Sequence, residues 1–180
     1  MQSGRSTKPQ KLTKALARQR ILIFGIAGAT LIFVAGLVYF SSAQKEIGRS
    51  VPLQGDAHVG LGQPHPAYNT TPPTSGWHYE ATASWGVHSD PIPDEVQIHN
   101  LEHGGVMVQY NCECPELVEK LKNVAMDYRS KVILAPYPKM ETKIALTAWG
   151  HIAELNDFDE NAIRGFIKAY RNKGPEQVPD

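Results

Sequence analysis

The chain has 180 residues, with 18 basic and 18 acidic side chains, a formal net charge of zero and seven histidines. That length implies one folded domain with appendages, and the balanced charge gives no electrostatic case for nucleic acid as a partner.

The zero average hides an asymmetry. Residues 1–20 carry Arg5, Lys8, Lys11, Lys14, Arg18 and Arg20 and no acid. Ile21–Phe40 follows, a run of twenty residues without a charge. At a rise of about 1.5 Å per residue such a helix crosses the ~30 Å hydrocarbon layer. The positive-inside rule then predicts a basic cytoplasmic tail over 1–20 and a single transmembrane helix over 21–40 with the lipid bilayer as its partner. Everything beyond lies outside the cell membrane. A cleaved signal peptide ending near Ser41-Ser42-Ala43 is the rival reading, but the apolar run exceeds the roughly 7–15 residues usual for one.

Residues 41–55 read as a tether, 56–172 as the extracytoplasmic domain and 173–180 as a loose tail. The domain opens unusually. Pro64, Pro66, Pro72, Pro73, Pro91 and Pro93 lie among Gly60, Gly62, Gly76 and Gly86. That density forbids a long helix and argues against a central strand. Tyr68, Trp77, Tyr79 and Trp85 in the same stretch argue against a disordered linker, so it reads as ordered irregular chain anchored by its rings.

Ordinary periodicity follows. Asp94 reads as the cap of a short helix that ends at Gly104, with a strand through Val96, Ile98 and Asn100 nearly as good a fit. Val106–Tyr110 is a strand. Pro115–Tyr128 is an amphipathic helix with Leu117, Leu121, Val124 and Tyr128 on one face. Val132–Ala135 and Ile144–Trp149 are strands, and Asp157 or Asp159 starts a last helix that turns Ile163, Phe166, Ile167 and Tyr170 inward. The fold class is α+β, with a strand-helix-strand-strand-helix core.

Chemistry concentrates in Glu95–Cys114, EVQIHNLEHGGVMVQYNCEC. His99, Glu102 and His103 match H-x-x-E-H, which on a helix sets the two imidazoles one turn apart with the carboxylate beside them. Inverted zinc peptidases share that pattern on a long helix, whereas Gly104-Gly105 stops any helix here at once. A buried hydrogen-bonded network of the same three groups is the competing reading. Cys112 and Cys114 are spaced C-x-C ahead of Pro115, where a helix N-terminus favours thiolates. They are candidate metal ligands, candidate redox thiols, or simply two small side chains pinning a loop. The order of elements around them resembles the second half of a thioredoxin-type fold, whose redox motif is C-x-x-C instead. His78, between Trp77 and Tyr79, is the third histidine candidate; His58, His65, His88 and His151 read as solvated.

The blocks YNTTPPTSGWHY at 68–79, WGV at 85–87, HNLEHGGV at 99–106 and YNCECPE at 110–116 together resemble the domain of unknown function family numbered 3105. The resemblance covers roughly residues 55–172. It implies a membrane-anchored or secreted domain and carries over no reaction and no catalytic residue.

The expected function is therefore that of an extracytoplasmic domain binding copper or zinc through His99, His103, Glu102, Cys112, Cys114 and His78. A thiol-disulfide oxidoreductase and a non-enzymatic interaction module are the alternatives. No reaction is assigned, and the balance of the residues leans away from an enzyme.

Overall fold

The computed structural model describes Thr30, Ile32–Val34 and residues 47–179 of two units, 1–45 and 46–180. Thr30 and Ile32–Val34 are helical and exposed, and the rest of the expected span Ile21–Phe40 lies outside the described residues. Among the described residues no helix is long and apolar enough to cross a membrane.

The second unit is an α+β domain around one mixed sheet. In chain order its strands are β1 (Arg49–Ser50), β2 (Gly86–Val87), β3 (Val106–Tyr110), β4 (Val132–Pro136), β5 (Ile144–Ala148) and β6 (His151–Leu155). Its helices are α1 (Asp94–Glu102), α2 (Pro115–Met126) and α3 (Glu160–Tyr170). The sheet order is β1-β6-β5-β3-β4-β2. β3 and β4 run parallel, joined through α2, while β5 and β6 are antiparallel to their neighbours.

Alternation along the strands gives the sheet two apolar faces. Val106, Val108, Val132, Leu134, Ile144 and Leu146 face α2 and α3, meeting Leu121, Val124, Ile163, Phe166 and Ile167. Met107, Ile133 and Ala135 point the other way, onto Leu101 of α1, Ile92, Trp85 and Trp149. The Pro-rich segment therefore helps α1 to cover the second face, and its rings anchor it there. Both faces need cover because the strands are apolar on both sides.

Several expectations are refined by this arrangement. Asp94 does not cap α1: Pro93 holds that position without a side-chain bond. Asp94 instead begins the helix and accepts from Gln97 Nε2 at 2.8 Å and Lys139 Nζ at 3.0 Å. That ties the turn between β4 and β5 to the start of α1. Asp159 is the cap of α3, accepting from the Ala162 amide at 3.0 Å. β6 has no counterpart in the expected order, because its burial is irregular and only Ile152 is fully covered. It follows β5 through Trp149-Gly150, where Gly150 takes a φ of +68° that an L side chain rarely adopts.

The tail expected to be loose is held. Its backbone runs back past the end of α1, with Asn172 N donating to Gly104 O at 2.8 Å and Glu176 N donating to Glu102 O at 3.1 Å. Lys131 Nζ donates to Val178 O at 2.8 Å. The Glu176 bond satisfies the Glu102 carbonyl that the C-terminus of α1 leaves open.

Candidate metal centre

Four chain segments converge at the C-terminal end of α1. The helix supplies His99, Glu102 and His103, with a 3- and 4-residue spacing that puts them on neighbouring turns. Gly104, with a φ of +77°, ends the helix, and Gly105 lets it dock: a Cβ there would stand 2.5 Å from Asn100 O and 2.8 Å from the Trp85 ring. His78 comes from the Pro-rich segment and is joined to the His58 region by a bridge, with Val59 N donating to His78 O at 2.8 Å and His78 N to Ala57 O at 3.1 Å. Glu176 arrives on the tail.

The protons on two of the imidazoles can be placed from geometry. His78 Nδ1 lies 2.9 Å from Gly76 O, and His99 Nδ1 lies 2.6 Å from Tyr79 O. A carbonyl only accepts, so each Nδ1 carries the hydrogen and each Nε2 of the neutral ring is a bare lone pair. Metal-binding histidines are fixed by this same backbone tie on the opposite nitrogen.

The His99 lone pair faces His103 Nε2 at 3.0 Å, whereas that of His78 has no hydrogen-bond donor. His78 Nε2 stands 2.9 Å from Glu102 Oε2, and both atoms are buried with no hydrogen-bond partner. His99 Nε2 lies 4.0 Å from the same oxygen and 3.0 Å from His103 Nε2. His78 is 0% exposed and Glu102 4%. Burial pushes the Glu102 carboxyl above its ordinary range, opposed by His78. Burial likewise lowers the His99 pKa, offset in part by its bond to Tyr79 and reinforced by the neighbouring histidines. His99 is accordingly a neutral ring.

A buried carboxylate facing bare imidazole nitrogens is costly unless a proton or a metal ion sits between them. At bond lengths of about 2.0–2.2 Å, ligand atoms around one ion stand roughly 3–4.4 Å apart. The ligand atoms of His58, His78, His99 and Glu102 all lie within 4.8 Å of one another, as do those of His99, Glu102, His103 and Glu176. The donor set is nitrogen and oxygen, which suits zinc or divalent copper.

Of the expected ligands, the structure brings His78, His99, Glu102 and His103 together. Cys112 and Cys114 are not with them. β3 separates the two groups, five residues that span about 17 Å. The cysteines form a disulfide with each other, so neither offers a thiolate. His58, exposed as expected, and Glu176, expected on a loose tail, complete the cluster. No local spacing marks either of them: His58 is positioned by a backbone bridge and Glu176 by the bonds of the returning tail.

The family model described as "Protein of unknown function (DUF3105)" matches residues 60–180, more than half of the chain. No curated protein and no solved structure matches it.

Proposed function

This chain belongs to the DUF3105 family, and we propose that its domain binds a transition-metal ion through His78, His99 and Glu102, with His58 alongside. The observation that carries the reading is the pair of buried atoms without a hydrogen bond, His78 Nε2 and Glu102 Oε2, facing each other at 2.9 Å. A divalent ion satisfies both at once and neutralises the carboxylate. Zinc and divalent copper fit the imidazole-rich set, and the disulfide removes the soft ligands that favour monovalent copper. The role is that of a metal carrier, sensor or accessory factor. Purified protein should melt higher with zinc or copper than with chelator, by about 2.7 kcal/mol of added stability at a hundredfold excess over Kd. Equal melting with both metals and with chelator would sink the reading.

The same proposal places the domain outside the cell membrane, tethered by Ile21–Phe40. It is supported by the uncharged run and the six basic residues ahead of it. Protease added to spheroplasts should remove a C-terminal epitope; protection of that epitope reverses the topology.

A thiol-disulfide exchange role is the second reading, favoured by one observation. The Cys112–Cys114 disulfide is half-buried and closes directly ahead of α2, whose N-terminus stabilises a thiolate. Failure of the reduced protein to reduce a small aromatic disulfide faster than free cysteine does would remove it.

A further inference from the structure

We infer that the centre holds two ions rather than one, the second bound by His103 and Glu176 and bridged to the first by Glu102. This rests on the metal reading above and adds a site to it.

His103 Nε2 lies 3.0 Å from His99 Nε2 and 3.0 Å from Glu176 Oε2. A ring nitrogen carries at most one hydrogen. His99 Nε2 has none to give, because its ring proton is committed to Tyr79 O at 2.6 Å. A single hydrogen on His103 can serve His99 or Glu176 but not both. The first set of ligands thus has a close pair without a hydrogen bond, and the second has one proton between two acceptors. Each deficit is what a cation repairs.

One ion does not repair both. The candidate ligands fall into two sets of four that share His99 and Glu102, the atoms of each set lying within 4.8 Å. Ligands on opposite sides of one ion stand about 4.4 Å apart at most for bonds near 2.2 Å, so a single sphere is filled by one set. Of the shared groups only Glu102 can bridge, since a carboxylate has two oxygens while His99 has one free nitrogen. Carboxylate-bridged ions in such pairs sit about 3.5–4 Å apart. The two positions also differ in exposure. His78 and Glu102 are buried, while the Glu176 side chain is 54% exposed and arrives on the tail. The second ion is therefore the weaker and the more readily exchanged.

The test is stoichiometry on the full-length protein in detergent. Equilibrium dialysis against zinc, followed by elemental analysis, should give two ions per chain, filled in sequence. The H103A/E176Q double variant, checked by thermal melting to be folded, should retain one. A second readout needs no variant: the first equivalent of divalent copper gives an electron paramagnetic signal that the second should broaden or extinguish by coupling. One zinc in both wild type and variant, with additive copper signals, overturns the second ion and leaves the metal reading standing. No zinc in either overturns both.

Discussion

Asn100 clamps the peptide groups of Ala83 from both sides: its Oδ1 accepts from Ala83 N and its Nδ2 donates to Ala83 O, each at 2.9 Å. Asn100 is fully buried. This side chain does for the irregular segment what a ladder partner does for a strand, and it holds that segment against α1 beside the histidines. Asn100→Asp keeps the acceptor, loses the donor and sets a carboxylate against Ala83 O. It should destabilise the domain by about 1–3 kcal/mol or more, read as a lowered denaturant midpoint at neutral pH. An unchanged midpoint would show that the clamp is dispensable.

Glu102 separates metal centre from structural network. A carboxyl whose folded pKa is raised contributes stability fully present below its ordinary value of 4.5 and loses it as pH rises through the folded value. Without metal, desolvated Glu102 is thus a burden on the fold wherever the pH lies above that ordinary value. Glu102→Gln should melt no lower than wild type in chelator and should gain nothing from zinc. A variant that melts well below wild type in chelator would mark Glu102 as an acceptor the apo fold needs.

His99 sets the acid side. Its lowered pKa keeps the folded ring neutral while the unfolded ring protonates near 6.5. The stability it contributes is present above that value and is lost as pH falls towards the folded pKa. Metal-free protein should therefore weaken from about pH 6.5 downward, and His99→Gln should flatten that slope. The zinc-dependent gain should shrink over the same acid range as ligands protonate. Parallel pH profiles for wild type and variant would exclude His99 as the titrating group.

The disulfide should be separable from the metal. Cys112→Ser with Cys114→Ser opens a loop of very few residues, and loop-closure entropy makes that worth about 1–2 kcal/mol at most. Metal stoichiometry and affinity should stay at wild-type values. A tenfold loss of zinc affinity in the double serine variant would mean that the cysteines communicate with the histidine cluster across β3.

How much of this was legible follows from which forces are local. α2 and α3 show in the sequence because Leu121 and Val124, or Ile163, Phe166 and Ile167, recur at helical spacing and are the buried residues. β6 does not show, because Ile152 is the one fully buried residue in His151–Leu155 and its hairpin turns on Gly150 rather than on an Asn-Gly pair. In the site, His99, Glu102 and His103 are visible as one helix face. His58 and Glu176 are not, since long-range backbone bonds place them and such bonds leave no period. Cys112 and Cys114 show the opposite error: closeness along the chain suggested closeness in space, and an intervening extended strand carries them away from the histidines.

The sheet ends on both sides in two-residue strands, β1 against β6 and β2 against β4. So short a rim offers a neighbouring molecule little backbone to add to, which is a common protection against edge-to-edge association. Two copies that meet at either rim strand therefore find little ladder to share, which disfavours their joining into one continuous sheet.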